Sequence, residues 1–295
     1  MSQFVQYVAI GLGNGATYAM LGLGLVVIFR STGLLNFAQG EMAMFATFFV
    51  WKLHDLGLAL WLALLVGIAG GFLLGVVTHQ LVVRPVGDPH RHPLAVVIVT
   101  VGLFLAFNAT ASLIWGSGQQ PLENLFGRSS VNLAGTAVSW QKIGTLVVLG
   151  GVALVFWLIF QKTKIGLAMR AVASNPESSA LSGVPVTRVL MIGWGLAAAV
   201  GALAGTLTVP VSGAVDSNLM QLALVYSFAA ITLGGFDSLL GAVVGGLAIG
   251  LVTDVLPRYV SAFEQMPLAP AFLLILLVLL VRPEGLFGRK AVVRP

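Results

Sequence analysis

Two short stretches hold most of the polar chemistry in this chain. The first is Asn36, Gln39, Gly40 and Glu41, followed at once by the apolar run MAMFATFFVW. A carboxylate at the centre of a bilayer costs ~2.5–3.5 kcal/mol on insertion scales, so an intramembrane acid usually faces a cavity or a partner. The residues before Glu41 weaken a helix, and irregular backbone at membrane depth is tolerated only inside protein or along a watery path. Two readings stay open. Glu41 orders a broken helix beside a route through the membrane, or the helix starts late and Glu41 sits at the interface.

The second stretch is residues 162–188, KTKIGLAMRAVASNPESSALSGVPVTR, with five charges: Lys162, Lys164, Arg170, Glu177 and Arg188. Its ends spell out a helix. Asn175 is a good N-cap, whose side-chain oxygen accepts a free N–H of the first turn. Pro176 suits the first helical position, and Glu177 lies at the positive end of the helix dipole. Gly183 takes the left-handed conformation that stops a helix, and Pro185 blocks its resumption. The spacing predicts two turns over residues 176–182. Just upstream, Ile165, Ala168, Met169 and Val172 fall on one helical face. A capped helix beside an amphipathic one, outside a membrane, suits contact with another protein.

Other chemistries find little support. His54, His79, His90 and His92 lack the i, i+4 spacing of a helical metal site, so neither a metal site nor a catalytic centre is expected. Gly11, Gly13 and Gly15 follow no strand and do not form a dinucleotide loop, and no P-loop sequence occurs. The Trp115-Gly-Ser117-Gly118 run has no histidine in a later span to act as base. Asn14, Thr17, Tyr18, Asn108 and Thr110 lie within apolar segments. Such groups serve either as interhelical hydrogen bonds or as ligand contacts. Asp237 and Asp254 fall at segment ends, where hydration accounts for them.

The elements that position these residues follow from composition. The 295 residues are 58% hydrophobic and 8% charged, against about 25% charged in a soluble domain. Mean hydropathy is +1.00. The expectation is an all-α polytopic membrane bundle, a single domain over residues 1–295 bathed in lipid. The net charge of +5 carries no basic run interleaved with aromatics, so no nucleic-acid partner is expected. Cysteine is absent. The N-terminus lacks the positive region of a cleavable signal peptide.

Apolar segments fall at residues 5–29, 31–51, 56–83, 94–115, 143–160, 189–211, 219–234, 239–256 and 268–281, so eight or nine crossing or re-entrant segments are expected. Residues 116–141 read as a mixed polar loop. Glycines four apart (Gly11/Gly15, Gly67/Gly71/Gly75, Gly201/Gly205, Gly241/Gly245, Gly246/Gly250) mark close helix packing. If all nine segments cross, one set of loops holds Arg30, Arg84, Arg91, Lys162, Lys164, Arg170, Arg188, Arg282, Arg289, Lys290 and Arg294. The other holds Lys52, Arg128, Lys142 and Arg258. The richer side faces the cytoplasm, placing the N-terminus outside and the C-terminus inside.

With those residues in view, the chain resembles the LivH-type permeases, the membrane subunits of bacterial importers driven by ATP-binding-cassette (ABC) ATPases. Residues 36–41, NFAQGE, match the family's N-F-A-H/Q-G-E motif. IGLAMRAVASNPESSALSGVPVTRV is similar to its cytoplasmic loop, and ITLGGFDSLLGAVVGGLAIGL and RPEGLFGRK to its last third and tail. The likeness runs nearly end to end. It implies a permease for branched-chain or other apolar amino acids in a bacterial cytoplasmic membrane. Asn14, Tyr18, Asn36, Gln39 and Glu41 would border the pathway. Glu177-Ser178-Ser179 and Gly183 fall on the E-A-A-x-x-x-G pattern of ABC permeases, with Ser-Ser in place of Ala-Ala. The 162–188 loop, with Gly166, Arg170 and Asn175, would then couple to a cytoplasmic ATPase. The implied partners are a second permease (a LivM-type paralogue or a second copy), two ATPases and a soluble substrate-binding protein. ATP and magnesium would reside on the ATPases, with no cofactor in this chain.

Two other readings compete: the same permease type for an amide, urea or aromatic acid, and an ion-coupled secondary transporter, which would show several paired intramembrane charges. Because the chain has no cysteine, its orientation can be read with single introduced ones. In intact cells, cysteine at Ser179 should resist a membrane-impermeant thiol reagent, and cysteine at Ser117 should label. Labelling at position 179 from outside reverses the orientation.

Overall fold

The computed structural model describes residues 2–87, 93–133 and 136–288. The long elements are all helices. α1 (Ser2–Thr32) crosses the bundle and stops at Gly33, whose φ of 72° is left-handed. Residues 33–38 are non-helical, and α2 (Gln39–Asp55) follows. α3 (Leu60–Thr78) continues through a π-helical turn, His79–Val83, and a 3-10 turn, Arg84–Val86. α4 is Pro93–Trp115. The predicted polar loop contains an antiparallel hairpin, β1 (Ser130–Leu133) and β2 (Thr136–Ser139), with Val131 opposite Val138. Alternation over only four residues per strand is too short a signal to separate from a loop.

The second half begins with α5 (Trp140–Lys162), then two short helices, α6 (Lys164–Ser174) and α7 (Pro176–Leu181). α8 (Val186–Ser212), α9 (Gln221–Gly234), α10 (Leu239–Tyr259) and α11 (Ala269–Val281) complete the bundle. All nine apolar segments are therefore helical, but they are unequal. Among the described residues six helices are long and apolar enough to cross a membrane: α1, α3 with its two extra turns, α4, α5, α8 and α10. α2, α9 and α11 have 17, 14 and 13 residues, short of the roughly 20 a lone span needs.

α1 is the axis of the bundle, buried almost without break from Gly15 to Val27 and packed against α10, α8, α9 and α5. The spaced glycines sit at these contacts. A Cβ on Gly15 would lie 2.7 Å from the Gly246 carbonyl, and one on Gly11 2.8 Å from that of Gly250. Gly71 and Gly75 of α3 face the α8 backbone at Ala198 and Trp194, and Gly201 and Gly205 of α8 face Ala43 and Thr47 of α2. Close backbone approach replaces the hydrophobic drive that lipid cannot supply. Leu105, Leu113, Val147, Leu154 and Leu280 point outward.

Gly15→Val forces backbone against backbone, beyond the ~1–3 kcal/mol of ordinary overpacking. It should abolish the folded peak of the detergent-solubilised protein in size exclusion. Gly102→Ala in α4, where a Cβ meets nothing within 4 Å, should leave peak and melting temperature unchanged.

Candidate functional site

The polar residues of the NFAQGE stretch build the entry to α2. The Asn36 side-chain oxygen accepts the Ala38 N–H at 3.0 Å, and the Asn36 carbonyl accepts the Gln39 N–H at 3.3 Å. This asparagine turn aims the chain into a helix. Gln39 donates through Nε2 to the Ala197 carbonyl of α8 at 2.8 Å, while its Oε1 has no partner among the described residues. Asn36, Ala38, Gln39, Gly40 and Glu41 are all buried.

Glu41 lies in the first turn of α2 and is 1% exposed. Asn108 of α4 donates to its Oε2 at 3.1 Å and to the Ser217 carbonyl at 2.7 Å. The Gln221 side chain, at the opening of α9, faces the same carboxyl. Gly40 rests on Met220 and Leu224, so the first turns of α2 and α9 meet at this carboxyl group. Free N–H groups and the positive dipole ends of both helices favour an acid there. The helix does start late, as one of the two readings of Glu41 held, and the residue is enclosed within the bundle.

Asn14 and Tyr18 belong to a separate cluster farther along α1. Asn14 donates through Nδ2 to Asp254 Oδ2 of α10 at 2.9 Å. Asp254 was expected at a hydrated segment end. α10 instead runs on to Tyr259, so Asp254 is within the helix, half-buried and bonded to α1. The Tyr18 ring lies 4.9 Å from that of Tyr226, whose hydroxyl donates to the Pro267 carbonyl at 2.8 Å. Asn108 proves to be an interhelical hydrogen bond, one of the two roles open to it. Its partner and that of Asn14 lie 67 and 240 residues away in sequence, distances at which local spacing carries no signal.

At the other end of α1, the 162–188 stretch folds as its caps dictate. Thr163 Oγ1 accepts the Gly166 N–H at 3.2 Å to open α6. Gly166 is pressed on the backbone of Ile159 and Phe160, leaving no room for a Cβ. Arg170 Nε donates to the Gly166 carbonyl at 3.4 Å with its side chain exposed. Asn175 Oδ1 accepts the Ser178 N–H at 2.8 Å and opens α7. Gly183 has a φ of 82°. Ser179 is buried and donates to the Asn175 carbonyl; Glu177 and Ser178 are exposed. The amphipathic face of α6 is narrower than its spacing implies. Met169 and Val172 are buried, but Ile165 is exposed. Leu181 escaped the sequence reading. It ends α7 and is 91% exposed, an apolar side chain at the tip of a capped helix.

One cavity of about 400 Å³ is lined by Ser31, Arg84, Glu177 and Val186. It gathers the ends of α1 and α3, the helix α7 and the start of α8 on one side of the bundle. Of the histidines, His54 Nδ1 pairs with the Leu58 carbonyl at 2.8 Å, and His79 is buried in the π-helical turn. His90 and His92 lie outside the described residues. Among the described residues no group of three His, Cys, Asp or Glu is placed to hold a metal.

A family model described as "Branched-chain amino acid transport system / permease component" matches residues 7–281. The chain is 29% identical to the high-affinity branched-chain amino acid transport system permease protein LivH of Salmonella typhimurium, over 98% of this chain and 97% of that one. It is 28% identical to the corresponding protein BraD of Pseudomonas aeruginosa, over the same shares. Likeness to the fructose import permease protein FruF of Bifidobacterium longum is lower, 21% over 92% of this chain and 76% of that one. No solved structure matches.

The Glu41–Asn108 contact can be isolated with a double-mutant cycle. Asn108→Leu strips a buried carboxyl of a partner, at about 1–3 kcal/mol. It should lower the melting temperature of the detergent-solubilised protein. Glu41→Gln should keep fold and helix start. The double variant should melt above the additive sum of the two losses; simple additivity means that the two side chains do not interact.

Proposed function

The chain belongs to the family of branched-chain amino acid transport permease components, and from that premise we propose that it forms half of the membrane pathway of an ATP-driven importer. The cargo is a branched-chain or similar apolar amino acid. Identity of 28–29% over nearly the full length of amino acid permeases, against 21% for the fructose permease, supports that cargo class. Two membrane subunits enclose the route, the second a paralogue or another copy of this chain. A soluble binding protein delivers the amino acid and sets most of the selectivity.

The single observation that carries the mechanism is α7. Isolated helices below ~12–15 residues are marginal in water, yet this six-residue helix is capped by Asn175 and closed by Gly183. Its tip presents Leu181, whose burial by a partner would remove apolar surface from water. An ATPase groove covers that tip and Glu177, and α7 passes its movement on. The ATPases hold ATP and magnesium and supply the free energy; this chain hydrolyses nothing. Gly166 and Arg170 shape α6, the arm that carries α7.

The cavity that gathers the ends of α1 and α3 with α7 is lined by Arg84, and Arg30 lies over the Phe160 ring at the end of α5, just before the basic 162–188 stretch. That supports a cytoplasmic position for this end, in the inner membrane of a bacterium, with the N-terminus outside and the C-terminus inside. The chain then makes nine passes or partial passes. α2 and α9 start inside the bundle and run toward opposite faces. Asn36, Gln39 and Glu41 lie where these half-length helices meet, beside the route, so Glu41→Gln should alter uptake without preventing assembly.

Reconstituted with its partners, the wild type should accumulate labelled leucine when ATP and loaded binding protein are present. Gly183→Val strains a left-handed position by ~1–2 kcal/mol. Glu177→Lys and Leu181→Asp change the exposed face. All three should reach the membrane but lose most of the ATPase stimulation by loaded binding protein and release the ATPase in a pull-down. Wild-type stimulation in all three removes α7 from the coupling role.

A further inference from the structure

The Asn14–Asp254 cluster borders a cavity of about 640 Å³ at the end of the bundle opposite α7. Tyr7, Thr253, Asp254, Arg258 and Glu264 are among its lining residues. Asp254 and Arg258 are one turn apart on α10, the spacing at which an acid followed by a base normally pairs. Here they form no salt bridge with each other. Each is held instead by α1. Asn14 donates to Asp254, and the Arg258 guanidinium sits over the Tyr7 ring, 5.4 Å from its centroid, in the range of a cation–π contact. Tyr7 and Asn14 are two turns apart on α1, so one face of α1 separates the two charges of α10. Lys142, beside Gly13, also faces Asp254.

We propose that this cavity is a binding site for a zwitterionic α-amino acid, Asp254 taking the ammonium group and Arg258 the carboxylate. The inference rests on the importer reading above and assigns it a station on the outer side of the membrane subunit. The chemistry fits on three counts. Two opposite charges held apart on one helix match a ligand that carries both on neighbouring atoms. The volume lies within the roughly 300–1,000 Å³ of small-molecule pockets. Pro257, Phe263 and Pro267 line the same cavity and give an aliphatic side chain an apolar wall. The binding protein would hand its cargo to this station before the amino acid moves inward toward Glu41.

The test is a thermal melt of the purified permease–ATPase complex with L-leucine, isovalerate or isoamylamine. The last two keep the aliphatic chain but lack the ammonium or the carboxylate. Leucine should raise the melting temperature and the two analogues should not. Asp254→Asn preserves the shape and the place of the Asn14 bond, and Arg258→Met keeps the stem. Each should weaken the leucine response about tenfold, the size of one lost charge-assisted hydrogen bond. Equal responses to leucine and isovalerate, or an unchanged response in both variants, overturns the site. Loss of binding-protein capture in the variants with an intact leucine response also overturns it and makes the cavity a docking contact. Uptake into proteoliposomes, measured in parallel, separates the two claims. A wild type that accumulates leucine yet shows no charge-selective response sinks this site alone; one that accumulates no amino acid sinks the importer reading as well.

Discussion

Hydrocarbon offers a polypeptide no hydrogen bonds, so a chain can leave its helix at membrane depth only where the protein itself supplies partners. Everything central in this fold depends on meeting that condition around Glu41. Residues 33–38 turn back into the bundle after α1, and their polar groups are absorbed by Asn36, by Gln39 against α8, and by the start of α2. The segment before α9 does the same from the other side, with the Ser217 carbonyl satisfied by Asn108. Asn108 therefore serves both breaks with one amide. Two helices too short to span alone can begin inside the bundle because their first turns share one carboxyl group and its partners.

The glycines make this arrangement possible at close range. α1 lies against α10 through Gly11 and Gly15, and α8 lies against α2 and α3 through Gly201, Gly205, Gly71 and Gly75. Such tight contacts leave few ways to move except as whole helices. α6 joins this rigid body through Met169, which reaches Gly193 of α8 beside Ser31 at the end of α1. In the proposed coupling role, a push on α7 would be delivered to α1 and α8, the two helices that position Asn14, Gln39 and the break before α2. That role would require α7 to be stiff, because a frayed helix would absorb the displacement instead of passing it on.

Legibility in the sequence followed the range of each interaction. α7 was readable to within one residue because Asn175, Pro176 and Gly183 act on their immediate neighbours. The long apolar helices were readable from the absence of charge. A late start of α2 and a short α9 were open in the sequence, but that the two begin against each other was not, since apolar composition says where a segment prefers to be and not what it meets. Glu41 was recognisable as unusual, but Asn108 and Gln221, which decide whether it is enclosed or exposed, come from other helices. Asp254 was misplaced because α10 continues through Pro257, a residue that reads as a stop. Leu181 went unnoticed because one leucine in an otherwise polar loop looks ordinary until its surroundings are known.

The meeting of α2 and α9 is the claim on which the rest stands, and the cysteine-free chain allows it to be measured directly. Gly40 faces Leu224 closely, a Cβ at position 40 falling 3.0 Å from the Leu224 Cβ, near the ~3.5–4.5 Å that a disulfide requires. Cysteines at both positions, with a protease site inserted in the loop after α4, should oxidise under mild conditions in membranes. After cleavage the two fragments should then stay joined until a reductant is added. Fragments that separate without reductant, from a protein that is folded and retains both thiols free, would contradict the account.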